Sequence, residues 1–226
     1  MRMMRFEGPP KLYDAARKAV EDVAAGAIAE RGRFTIALSG GSTPLPLYER
    51  LVDAARIDWA RTHVFWSDER CVPPDDRLSN ARATHECLLA HVPVQTEHVH
   101  RIDGIGRPPR AADAYEVVVR KELSGDRFDL ILLGLGTDGH TASLFPRHQA
   151  LGEDERWILP VHVNAEPPWR VTMTLPLINR ARHVVVLAVG DEKLTAAIRI
   201  ERGEDLPAGR VRPTDGDAAW MIAANR

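Results

Sequence analysis

The stretch FDLILLGLGTDGHTASLFP, residues 128–146, passes within a few positions from an unbroken apolar run to a loop of glycines, an acid, an imidazole and small hydroxyls. The run is too short for a typical helix and shows no polar alternation, as expected for a β-strand covered on both faces. A buried strand of this kind belongs to a parallel sheet, and ligands of such sheets gather at the carboxyl ends of the strands. His140, between Gly139 and Thr141, stands where a ligand would be met.

Similar segments recur along the chain. RFTIAL (33–38), THVFW (62–66), WILPVHV (157–163) and HVVVLAV (183–189) are read as further strands. Helical patterns lie between them at Leu12 to Glu30, Pro44 to Ala55, Ser79 to Leu89, Ala111 to Leu123 and Glu192 to Ile200. This alternation predicts a mostly parallel sheet between helical layers. HRIDGIGRPPR (100–110) is the most loop-like interior piece, and RGEDLPAGRVRPTDGD (202–217) is expected to cross the surface before a last short strand, AAWMIA. At 226 residues and 44% apolar composition, one domain spanning 1–226 is expected.

Charge and composition narrow the function. With 30 Lys+Arg against 32 Asp+Glu the formal net charge is -2, so no global basic field would attract nucleic acid or an anionic membrane. The N-terminus lacks an apolar core of the signal-peptide kind, and no apolar run approaches membrane-spanning length. Cys71 and Cys87 have no metal-ligand or disulfide pattern. His85, His91, His98 and His100 likewise show no metal-ligand spacing. A cytoplasmic protein without a metal is expected, monomeric or homodimeric.

Three predicted strands run directly into polar loops. In ALSGGSTP, Gly40 and Gly41 let successive amides point into one concavity, with Ser39, Ser42 and Thr43 adding hydroxyls and Thr43 capping the following helix. That is a cradle for an anion. In FWSDERCVPPDDRLSN, Arg70 offers several donors to a phosphate or an oxyanion, and Asp68 is placed to orient it. In GLGTDGHTASLF, Asp138 lies two residues before His140. Imidazole titrates near neutrality and in neutral form takes a proton from water, which makes His140 the candidate general base. Arg170, opening RVTMTLPLIN, and Lys193, in VGDEKLTAAI, would complete the neutralisation of a phosphate dianion. Trp169 could wall the pocket, and Cys71 reads as a small packed residue rather than a nucleophile.

Five ordered segments, LSGGSTP, WSDERCVPPDDRLSN, FDLILLGLGTDGHTASLFP, RVTMTLPLIN and VGDEKLTAAI, resemble the glucosamine-6-phosphate isomerase/6-phosphogluconolactonase family over nearly the whole chain. The resemblance implies a three-layer α/β/α Rossmann-like fold of the deaminase and ribose-5-phosphate isomerase kind. It also implies cofactor-free hydrolysis of a sugar-phosphate lactone, 6-phospho-D-glucono-1,5-lactone, in the oxidative pentose phosphate pathway. On this likeness His140 is the base, while the SGGST loop, Arg70, Arg170 and Lys193 contact substrate. Where many members carry a lysine, this chain reads NAEPPWR with Glu166, so Arg170 is expected to act without it. A deaminase or isomerase of the same fold is disfavoured because the second loop reads SDER and the third GHTASLFP, without the further acids of those enzymes. A non-catalytic sugar-phosphate sensor would leave His140 without a task.

Overall fold

The computed structural model describes residues 2–225. Six parallel strands, β1 (Arg2–Phe6), β2 (Phe34–Leu38), β3 (Thr62–Trp66), β5 (Leu130–Gly134), β8 (His183–Val189) and β9 (Asp217–Ala223), form the central sheet in the order β1-β9-β8-β5-β2-β3. All five residues of β2 and the first four of β5 are buried, which requires cover on both faces and explains their unbroken apolar sequence. Helices supply that cover: α1 (Pro9–Arg31), α2 (Leu45–Leu51), α3 (Asn80–Cys87), α4 (Pro108–Leu123), α5 (Leu175–Ile178) and α6 (Asp191–Glu201). α1 starts on a proline pair and stops at Gly32, whose left-handed φ of 75° lets its amide donate to the Ile28 carbonyl. Leu12, Ala16, Val20, Ala24 and Ala27 recur at helical spacing and bury one face of α1 in the core. None of the helices is long and apolar enough to cross a membrane, among the described residues.

A second sheet corrects the expected organisation. β4 (Asp68–Arg70), β7 (Trp169–Met173) and β6 (Ile158–His162) pair antiparallel in the order β4-β7-β6. The apolar segment 157–163 is therefore a strand, as expected, but it does not join the central sheet. Its apolar residues face α4 instead, which packs along β6. Ser67 joins the two sheets: its amide donates to Leu38 of β2 and its carbonyl accepts from Met173 of β7. The Tyr115 hydroxyl on α4 clasps both backbone groups of Trp66, fixing where β3 ends. The 202–217 segment also departs from expectation. Leu206, Ala208 and Val211 are buried, and the Ala208 amide donates to the Gly139 carbonyl, so this stretch braces the loop that carries His140.

Candidate functional site

Strands β8, β5, β2 and β3 are consecutive across the central sheet, so the loops at their carboxyl ends emerge side by side. These loops, with β7, surround a cavity of about 320 Å³. Its lining includes Ser39, Gly40, Gly41, Ser42, Thr43, Asp68, Arg70, His140, Arg170 and Lys193. Of the expected catalytic and phosphate-binding residues only Asp138 is missing from the lining, and it reaches the cavity through His140.

The His140 ring is held from two sides. Its Nδ1 lies 2.6 Å from the Asp138 carboxylate, which also accepts the His140 amide at 3.0 Å. Phe145 stacks on the opposite part of the ring with centroids 4.3 Å apart. An ionised carboxylate only accepts, so Nδ1 carries the proton and Nε2 keeps its lone pair, with no partner among the described residues. Gly136 makes the pairing possible. A Cβ built there would lie 2.1 Å from His140 Nδ1 and 2.7 Å from the Asp138 carboxylate. Gly136→Ala is therefore expected to displace the ring and lower turnover at least tenfold, in the range lost when a positioned base is misaligned. A far-ultraviolet circular dichroism spectrum like that of the parent would separate this from misfolding.

Two arginines meet across the small sheet. Arg70 and Arg170 are direct partners in the β4–β7 ladder, and like charges so placed oppose pairing. Both Nε atoms are buried without a hydrogen-bond partner among the described residues. Burial lowers the pKa of Arg170, the nearby Asp68 charge raises it and Arg70 lowers it further. Arg70 is oriented by donating to the Leu78 carbonyl and the Asn80 side-chain oxygen, not by Asp68 as expected. The Asp68 carboxylate instead accepts from Ser143 at 2.6 Å. Two guanidinium groups lining one cavity with spare donors are suited to an anion.

The loop after β2 supplies further donors. Ser39 is buried, its Oγ has no partner among the described residues, and Tyr48 clamps both its backbone groups. Gly41 adopts a φ of 84°, but Gly40 is needed for a different reason: a Cβ there would lie 1.9 Å from the Asn80 amide oxygen. Thr43 does not cap α2. The helix begins at Leu45, no side chain among the described residues caps it, and the Thr43 hydroxyl accepts from the Lys193 ammonium. Burial holds that ammonium below the usual lysine range.

Sequence reasoning gave no role to Asn80 or Glu69. Asn80 binds the Asp68 carbonyl and Arg70 while packing on Gly40, so it ties two loops together. The Glu69 carboxylate accepts from the amides of Arg70, Asn80 and Ala81 and from Ser79, closing the start of α3; burial raises its pKa against those amides. The Ser79 cap on α3 was the available signal. Trp169 is 40% exposed, packs edge-on against His162 and does not line the cavity. Glu166 is exposed in the β6–β7 turn and does not line it either. Burial raises the Cys71 thiol to about 11, unsuited to a nucleophile.

A larger cleft of about 1050 Å³ lies beyond Phe145 and contains Arg147, Arg199 and Arg210. Arg199 and Arg210 are already paired with Glu204 and Asp205. In the smaller cavity Arg70, Arg170 and Lys193 face one carboxylate, Asp68, which leaves an excess of positive charge for an anionic ligand.

Comparison with known proteins gives the family and the fold. A family model described as glucosamine-6-phosphate isomerases/6-phosphogluconolactonase matches residues 7–220. A 6-phosphogluconolactonase from Synechocystis is 42% identical over 206 residues, covering 87% of this chain and 84% of its own. A probable 6-phosphogluconolactonase from Oryza sativa subsp. indica is 37% identical over 241 residues, covering 96% and 85%. The crystal structure of 6-phosphogluconolactonase from Thermotoga maritima superposes with a TM-score of 0.89 at 30% identity, covering 98% of this chain and 99% of that one.

Proposed function

Because the chain belongs to the glucosamine-6-phosphate isomerase/6-phosphogluconolactonase family, we propose that it opens 6-phospho-D-glucono-1,5-lactone to 6-phospho-D-gluconate with His140 as the base. It is a carboxylic ester hydrolase acting on a sugar-phosphate lactone. The observation that carries the assignment of roles is the Asp138–His140 pair at a cavity whose other walls hold Arg70, Arg170 and Lys193.

The Ser39–Thr43 loop, Arg170 and Lys193 hold the phosphate. Binding energy from this unreacting group then positions the ester carbonyl. Nε2 of His140 takes a proton from water as the water oxygen bonds to C1. Asp138 fixes the tautomer and stabilises the imidazolium that forms. Arg70, or backbone amides of the glycine turns, receives the negative charge on the carbonyl oxygen. The tetrahedral intermediate collapses with cleavage of the bond between C1 and the ring oxygen, which takes the proton back from His140. Every group needed for proton transfer and charge stabilisation is a side chain or amide of this chain. The free thiols suit a reducing compartment, and we place the reaction in the cytoplasm.

Acid release from the phospholactone, corrected for its spontaneous opening, tests the reaction. Ammonia release from glucosamine 6-phosphate at a comparable rate would instead identify a deaminase, and binding of the phospholactone without turnover a sensor. Lys193 adds a pH signature. Its ammonium is required for anion binding and its pKa in the free protein is lowered, so affinity is complete at low pH and falls as pH rises through a midpoint under the ordinary lysine value of about 10.4. Calorimetric titration with 6-phosphogluconate should show this alkaline loss in the parent and not in Lys193→Arg.

A further inference from the structure

At the opposite rim of the central sheet, near the start of edge strand β3, three side chains from three separate segments converge. His63 Nδ1 lies 3.1 Å from His100 Nε2 and 3.7 Å from the Glu122 carboxylate, and the three ligand atoms all lie within 4.8 Å of one another. A tetrahedral zinc ion with Zn–N bonds of about 2.0–2.1 Å holds two ligand nitrogens about 3.3 Å apart. The imidazole pair is already near that separation. We propose that His63, His100 and Glu122 bind one divalent transition-metal ion of the zinc class, with solvent completing its coordination.

The rings are fixed by packing rather than by the ion. His63 stacks on His98 at 3.9 Å, and His100 stacks on Phe65 at 4.4 Å. The protonation state also suits a ligand. Burial, with His98, His100 and Arg33 nearby, pushes His63 down to about 4 against the opposing pull of Glu122. Burial lowers His100 as well, aided by His98 and Lys121 and opposed by Glu122. Both imidazoles are thus neutral at physiological pH, as metal ligation requires. Without an ion, the His63–His100 contact accommodates a single shared proton, so the ion replaces one hydrogen bond with three bonds.

The position argues for a structural role. His63 lies near the start of β3 and Asp68 just beyond its carboxyl end, at most about 16 Å along the chain, so the ion and the cavity sit at opposite ends of that strand. The His100 amide donates to Val64 and Val99 bridges Val64, so His100 belongs to a segment laid along the outer edge of β3. Glu122 is in the last turn of α4. An ion here would fasten that segment and the end of α4 to the exposed sheet edge. The signal was hidden in sequence because the ligands are separated by 37 and 22 positions and only the fold brings them together.

The test uses untagged protein, since a histidine tag would itself bind zinc. Titration calorimetry with Zn²⁺ is expected to give one ion per chain, and Co²⁺ to give the visible absorption of a tetrahedral site. Both His63→Ala and Glu122→Gln should weaken binding at least tenfold, while lactone hydrolysis is unchanged by these substitutions and by chelator. Zn²⁺ should raise the unfolding temperature of the parent and not of the variants. Glu122→Gln keeps the side-chain volume at a partly exposed position, so it reports on the site even if His63→Ala fails to fold. Absence of binding at micromolar zinc, or Glu122→Gln binding as tightly as the parent, would overturn the proposal.

Discussion

Replacing His140 with alanine is expected to lower kcat by about 10²–10⁴, the usual contribution of a positioned base, while KM changes only a few-fold. The separation follows from the geometry. His140 is tied to Asp138 and Phe145 and makes no hydrogen bond to Arg70, Arg170, Lys193 or the Ser39–Thr43 loop, so its removal leaves the anion site standing. Steady-state rates corrected for spontaneous ring opening provide the measurement. Turnover near that of the parent would exclude His140 as the base, whatever the fate of KM. Asp138→Asn should fall between the two, because the ring loses its fixed tautomer but keeps its place against Phe145.

Arg170→Ala is expected to act on the other half of the site. A charge-assisted hydrogen bond contributes about 1.5–3 kcal/mol, so its loss should raise KM for the phospholactone about 10- to 150-fold. The effect on kcat should be small. An internal control comes from the substrate: D-glucono-1,5-lactone lacks the phosphate, and its kcat/KM should be almost indifferent to the same substitution. Equal losses on both lactones would move Arg170 from phosphate anchoring to the reacting carbonyl. Removing Arg170 also relieves the like-charge contact with Arg70 across β4 and β7, so the unfolding temperature is not expected to fall in proportion to the loss of binding.

The loop that carries His140 was legible in the sequence because its parts are contiguous. β5 is an uninterrupted apolar run, and Gly136, Asp138 and His140 follow within a few positions, so local chemistry and location could be read together. The same holds for β2 and the Ser39–Thr43 loop. What was not legible depends on pairing between distant segments. β4 reads DER, without an apolar pattern, and becomes a strand only because β7 lies beside it some hundred residues later. The direct opposition of Arg70 and Arg170 is a property of that register and not of either motif. β6 was assigned to the wrong sheet because a short apolar strand looks the same whether α4 or the central layers cover it. β1 was missed since it is an edge strand only partly buried, with an exposed arginine at either side of its methionines. Thr43 was expected at a helix cap and instead accepts from Lys193, a contact spanning 150 positions.

The most direct test of how anchoring and base cooperate is a crystal structure of the protein with 6-phosphogluconate bound. The phosphate should lie among Ser39–Thr43, Arg170 and Lys193, with the C1 carboxylate beside Arg70 and within about 3.5 Å of His140 Nε2. A phosphate seated instead in the larger cleft beyond Phe145, with C1 turned away from the imidazole, would contradict it.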